Sequence, residues 1–231
     1  ILERLRVSAA EILACDVAAV EIRNGVVQVN QKAVSLNWDE LVNASYLKRI
    51  NLSEHGHYAT PGINFDNTVE KGHPFAYHVC GTAFTTVTVD CIRGIYEIDA
   101  VKLVHDFGTS RNPLIDRGQI EGGLVQGIGW MTMEEIVYDE EGRLRSNALS
   151  TYKVPDIYSV PKELDIHFLE TTNDNLAIFR SKAVGEPPLM YGIGTFFALR
   201  NAIKAFNPHS DIPFSAPMTP EKTLMALYSN K

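Results

Sequence analysis

Five glycines fall between residues 118 and 129, inside a stretch from Pro113 to Trp130 that otherwise reads as a helix. Each glycine in a helix interior costs about 1 kcal/mol relative to alanine. A stable fold accepts that cost where another backbone, or a ligand, has to come close. Ile115, Ile120, Leu124 and Ile128 are the candidate core contacts of this helix. Gly118, Gly122 and Gly129 recur at spacings that put them near one face, and Gln119 and Gln126, seven apart, are roughly aligned with each other. Amide side chains offer both donors and acceptors. Two readings of the segment stay open on residue physics alone: a polar ligand site, or tight helix-on-sheet packing with solvated glutamines.

A second segment, Ser181-Lys-Ala-Val-Gly-Glu-Pro-Pro-Leu-Met190, is equally hard to read as plain scaffold. Pro187 biases Glu186 towards an extended backbone, and two successive prolines stiffen the chain beyond them. If that carboxylate is buried, desolvation favours its neutral form and poises it for proton transfer. The alternative is a surface turn with a solvated glutamate.

Around these segments the pattern mixes helices and strands. Residues 1–14 carry Leu2, Leu5, Ala9, Ile12 and Leu13 at helical spacing. The stretch reads as the middle of an amphipathic helix, as in a chain cut or processed from something longer. Val20–Arg23, Asn24-Gly25 and Val26–Val29 spell a hairpin, since Asn-Gly suits the two positive φ angles of a type I′ turn. Asn37 is positioned to cap a short helix bearing Trp38, Leu41 and Val42 on one side. From Phe75 to Asp90 the chain is strand-like, turning at Arg93-Gly94 into a partner strand over Ile95–Val104. Further strands are expected at Glu135–Tyr138 and Leu164–Leu169. Helices are expected over Thr195–Phe206 and from Thr219-Pro220 to Tyr228, with Pro208–Pro220 a surface connection between them. There is no strict βαβ rhythm, so the fold class is α+β, with mixed sheets flanked by helices. The division expected is a small helix-hairpin-helix segment, 1–54, that completes an upstream domain, and a larger unit, 55–231.

Composition removes several classes. A net charge of −7 argues against a nucleic-acid partner. No run approaches the roughly 18 apolar residues of a membrane span. Cys15, Cys80 and Cys91 form no C-x-x-C pair, so iron–sulfur clusters and structural zinc are not expected, and a reducing, cytoplasmic setting fits. His55-x-His57 has no recognisable third ligand. No G-x-G-x-x-G follows a strand and no P-loop occurs, so a nicotinamide or ATP site in this chain is not expected.

Taken together, Asn112-Pro-x-Ile-Asp116, Gly118-Gln-x-Glu-Gly122, Val125-Gln-Gly-x-Gly129, Ser150-Thr-Tyr-Lys153 and Ser181–Leu189 come in one order. That series resembles the C-terminal part of the molybdenum-cofactor-binding subunit of the xanthine dehydrogenase and aldehyde oxidase family, most of all the bacterial xanthine dehydrogenase type. The likeness is good from about Phe75 to Phe206 and thinner on either side. It implies that 55–231 is the C-terminal portion of a molybdenum-cofactor-binding domain. It also implies that Glu186 matches the family's general base, which takes up a proton as oxygen derived from water is added to an electrophilic ring carbon. Gln119 then matches a glutamine bonded to the pterin, with Gly118 in the same contact region and Gly185 bringing its backbone close to the metal. Ser181 and Lys182 are implied as supporting cofactor-side groups.

The same resemblance implies what is absent. The substrate-orienting arginine, a second glutamate and the other cofactor loops lie upstream in the family, and the [2Fe–2S] and FAD domains that pass electrons towards NAD lie in partner domains. The expected activity is oxidation of hypoxanthine and xanthine to urate by an oligomeric assembly in which this chain supplies one wall of the site. A related aldehyde or N-heterocycle hydroxylase, or an interaction module that has lost the cofactor, are the alternatives.

Overall fold

The computed structural model describes residues 1–169, 171 and 177–229. The chain divides into two compact units, Ile1–Ala59 and Thr60–Lys231. In the first, α1 (Leu2–Leu13) and α2 (Trp38–Leu47) pack with a three-stranded antiparallel sheet of β1 (Val20–Arg23), β2 (Val26–Val29) and β3 (Lys32–Ala33). Asn24 and Gly25 take φ of 49° and 77°, the paired left-handed conformation that a type I′ hairpin requires. The Asn37 side chain accepts from the Glu40 N–H while Glu40 accepts from the Asn37 N–H, a complete capping box. Leu5, Ala9, Ala10, Val20, Val27 and Leu41 form the core of this unit.

The second unit begins with a short hairpin, β4 (Asn64–Asp66) and β5 (Lys71–His73), that the sequence pattern did not suggest. Its main sheet is β6 (Gly81–Val89), β7 (Tyr96–Asp106) and β8 (Glu163–Leu169), in that order. β6 and β7 are antiparallel, with a bulge at Thr86/Val87, whereas β7 and β8 are parallel. A parallel pair needs a long crossover, and α3 (Pro113–Thr132) lies within it. Asn112 caps α3 by accepting from the Ile115 N–H, and Pro113 stands in the first turn, where a missing N–H is harmless. α4 (Ile193–Phe206) and α5 (Pro220–Tyr228) complete the unit.

Two apolar clusters hold α3 to the sheet: Val101, Leu124 and Ile128 in one, and Leu103, Phe107, Ile120 and Ile166 in the other. A third joins Met131, Phe196, Leu199, Ile203, Ile212, Met218 and Leu227. Each fully buried Leu or Ile contributes roughly 1.5–3 kcal/mol of transfer free energy.

Several sequence expectations are corrected here. Ile115 is exposed, because α3 meets the sheet only from Ile120 onward. Glu135–Tyr138 forms no strand; a single bridge joins Tyr138 to Leu144, and Ile136, Val137 and Tyr138 are exposed. The strand expected from Phe75 begins only at Gly81. The segment between Pro208 and Pro220 is more than a surface connection, since Ile212 and Met218 enter the core beneath α4 and α5.

Candidate cofactor-binding and catalytic site

The two glycine-bearing segments meet. Residues Pro187–Gly192 form a six-residue 3-10 helix leading directly into α4, and it packs along α3. A Cβ on Gly127 would stand 2.0 Å from the Leu189 carbonyl oxygen and 3.0 Å from the Gly192 Cα. A Cβ on Gly123 would stand 3.1 Å from the Pro188 Cβ and 3.3 Å from the Gly185 carbonyl oxygen. One turn nearer the N-terminus, the Gln119 Oε1 lies 3.6 Å from where a Gly185 Cβ would be. Positions 119, 123 and 127 repeat every four residues, so they share one helical face, and that face carries the whole segment 185–192. Gly118, Gly122 and Gly129, grouped on one face by their spacing, do not line this contact. Gly118 and Gly122 look into open space, while Gly129 faces Glu134 and Pro155.

Glu186 precedes the 3-10 helix with φ −92° and ψ −44°. This is helical rather than the extended conformation that Pro187 favours. The Leu189 N–H donates to the Glu186 carbonyl at 3.2 Å and closes the turn, and Pro187 and Pro188 occupy its first positions, where no N–H is required. The Glu186 side chain is exposed, so this chain's own residues do not supply the desolvation considered from sequence. Gln119, Gly118 and Gly185 are exposed beside it. Among the described residues, neither the Gln119 amide nor the Glu186 carboxylate has a hydrogen-bond or ion-pair partner.

Lys182 and Ser181 are placed differently. The Lys182 Nζ sits 2.6 Å from Asp106 Oδ2, with both side chains only 6% accessible, and so it is engaged inside the fold rather than offered to a ligand. Burial opposes the charge on Asp106. The hydrogen bonds from Lys182, the Thr171 hydroxyl and the Gly108 N–H outweigh it and hold the carboxyl below its ordinary value. The Ser181 hydroxyl donates to the Ile178 carbonyl, and Ser181 bridges Gly108. Both residues thus anchor the segment that enters the Glu186 loop.

On the far side of that loop, Tyr191 reaches His105, the penultimate residue of β7, with 2.7 Å between its hydroxyl and Nδ1. The His105 Nε2 lies 3.3 Å from the Ala183 carbonyl. Burial pushes His105 below its ordinary value, against the opposing effects of that carbonyl and Asp106. Sequence reasoning missed this pair: the expected strand ended at Val104, and nothing local ties residue 105 to 191. The Ser150–Lys153 motif has a scaffold role at the other end of α3, where the Tyr152 hydroxyl donates to Glu134.

The exposed face formed by Gly118, Gln119, Gly122, Gly185 and Glu186 suits a flat, polar cofactor. It presents side-chain-free backbone on two segments and an amide with donors and acceptors uncommitted within the described chain. It contains no thiol or imidazole to ligate the metal directly. His55 and His57 do not alter this, for among the described residues no group of three His, Cys, Asp or Glu side chains is arranged to hold a metal. A groove of about 880 Å³ between α5 and residues 211–218 shares none of these residues. No helix among the described residues is long and apolar enough to cross a membrane.

Comparison with known proteins defines the class first. A family described as "Molybdopterin cofactor-binding domain" matches residues 1–161. Xanthine dehydrogenase/oxidase of Felis catus is 40% identical over 199 residues, covering 83% of this chain and 15% of that protein. Xanthine dehydrogenase of Oryza sativa subsp. japonica is 40% identical over 198 residues, covering 81% and 14%. Among solved structures, quinoline 2-oxidoreductase from Pseudomonas putida 86 superposes with a TM-score of 0.63 at 27% identity, over 98% of this chain and 28% of that one. Aldehyde oxidoreductase from Desulfovibrio gigas gives 0.56 at 34% identity, over 68% and 16%. The chain belongs to the molybdopterin cofactor-binding domains of the xanthine dehydrogenase family. It spans about 15% of the length of the curated relatives it matches.

Proposed function

We propose that this chain forms one wall of the active site of a molybdenum hydroxylase that oxidises hypoxanthine and xanthine to urate, with water as the oxygen source. The observation that carries the reading is the meeting of Gln119 and Gly185 beside Glu186, from segments more than sixty residues apart in the sequence. When bound, the molybdenum cofactor supplies a Lewis-acidic centre that accepts two electrons. Gln119 holds the pterin through its amide, with Gly118 and Gly185 allowing close approach of the backbone. Glu186 accepts a proton at its carboxylate as oxygen is transferred to the ring carbon. The turn through Pro187 and Pro188 fixes the backbone from which that carboxylate projects, and positioning of the reacting group is what general-base catalysis demands.

The remaining walls, including the substrate-orienting groups, belong to the upstream part of the molybdenum subunit. Iron–sulfur and FAD domains receive the electrons and pass them to NAD, in an oligomeric, cytoplasmic assembly. The chain by itself is inactive on this reading. The named relatives support a purine substrate, while the quinoline and aldehyde oxidoreductases that share the fold favour a second reading, an N-heterocycle or aldehyde hydroxylase. Steady-state assays of the full-length assembly on xanthine, an aliphatic aldehyde and quinoline separate the two. Preference for xanthine is expected, and turnover of only the other substrates contradicts it. In parallel, Gln119→Ala should lower molybdenum content, and unchanged content would refute its cofactor role.

A further inference from the structure

The loop 183–192 is tied down at both ends by a single buried side chain. His105 has no solvent exposure and lies at the end of β7. Its Nε2 faces the Ala183 carbonyl at 3.3 Å, three residues before Glu186, and its Nδ1 faces the Tyr191 hydroxyl at 2.7 Å, five residues after it. A carbonyl can only accept, so Nε2 carries the proton and donates. Nδ1 is then the acceptor and the Tyr191 hydroxyl the donor, which fixes the tautomer. The two rings meet edge to face, 5.7 Å between centroids, and Phe107 stacks with the imidazole at 5.9 Å. β6 makes the room: Gly81 pairs directly with His105, and a Cβ on it would stand 1.8 Å from the Tyr191 hydroxyl oxygen. A buried imidazole needs a partner for each ring nitrogen, and the hydroxyl of the half-buried Tyr191 satisfies Nδ1 across the loop.

We propose that His105 and Tyr191 are positioning residues for Glu186, a histidine staple that holds both ends of the loop to β7. The inference rests on the reading of Glu186 as the base. The staple is distinct from the Lys182–Asp106 ion pair, which fixes only the segment entering the loop. Its action is geometric: releasing the Tyr191 end lets the 3-10 turn that carries Glu186 shift on α3. A misplacement of about 1 Å at a reacting group lowers a rate roughly a hundredfold.

The test uses the full-length protein with Tyr191→Phe and His105→Gln, each also combined with Glu186→Gln. Tyr191→Phe removes one oxygen atom and keeps the ring, so it carries the test even where His105→Gln fails to accumulate as folded protein. The expected result is a kcat lower by roughly ten- to a hundredfold with KM and molybdenum content unchanged. Amide hydrogen exchange should quicken in the peptide spanning 181–192 but not in α1. In the Glu186→Gln background the residual rate should fall no further, because the staple acts only through Glu186. Unchanged kcat with unchanged exchange overturns the proposal. So does an equal further loss in the Glu186→Gln background, which marks a general structural effect. Retained turnover in Glu186→Gln alone overturns the base reading instead, and the exchange measurement then still decides whether the staple exists.

Discussion

Gly127→Ala puts the contact between α3 and the Glu186 segment under direct strain. The added methyl would stand 2.0 Å from the Leu189 carbonyl oxygen, where ordinary contact begins near 3.4 Å. The two segments must therefore separate by about 1.4 Å or distort. The blocking atom is backbone, at the centre of the 3-10 turn, so no side chain can swing away. Overpacking of this kind costs about 1–3 kcal/mol, and the better helix propensity of alanine returns about 1 kcal/mol. The net loss expected is up to about 2 kcal/mol. Gly122→Ala is the internal control, since nothing lies within 4 Å of its Cβ position, and it should stabilise by up to about 1 kcal/mol. Denaturation midpoints of the cofactor-free full-length protein should fall for Gly127→Ala and hold or rise for Gly122→Ala. Turnover should fall with Gly127→Ala, because the displaced turn carries Glu186. Equal midpoints for the two variants would refute the argument that Gly127 is there to admit Leu189.

Two further outcomes arise from the buried charges. Lys182→Met leaves Asp106 buried without its cation and should destabilise by about 3–5 kcal/mol, with part of the loss recovered by adding Asp106→Asn; denaturation midpoints of the single and double variants check it. His105 is held below its ordinary 6.5 chiefly by burial, so its neutral form is favoured in the folded state. The associated stability is fully present above pH 6.5 and is lost as pH falls from there towards the lowered value. The Asp106 contribution is present above 3.8 and disappears as pH falls through its lowered folded value. The midpoint should therefore drop as pH falls below about 6.5, and His105→Gln should flatten that drop. A slope identical to wild type would contradict the assignment.

The features legible in the sequence were written locally. Asn24-Gly25 specifies its turn by backbone chemistry, and Asn37 and Thr219 cap their helices within three residues. The apolar periodicity of α3 pointed correctly to Ile120, Leu124 and Ile128, but not to where the helix leaves the sheet and exposes Ile115. The glycines were legible as a group and misassigned as individuals. Whether Gly123 or Gly122 faces a neighbour is decided by the segment 185–192, which lies far away in sequence. The same distance concealed the His105–Tyr191 pair, 86 residues apart. The resemblance implies Lys182 as a cofactor-side group, and its amine is held by an aspartate that no spacing rule connects to it.

The central claim is that Glu186 accepts the proton in the reaction of the assembled enzyme. Its most direct test is Glu186→Gln in the full-length assembly, with molybdenum content and turnover measured on the same preparation. The substitution keeps size and shape while removing the basic carboxylate, and the exposed side chain has no partner among the described residues whose loss would disturb the fold. Molybdenum content equal to wild type with turnover nearly abolished is the predicted result. Substantial turnover at full molybdenum content would contradict the account.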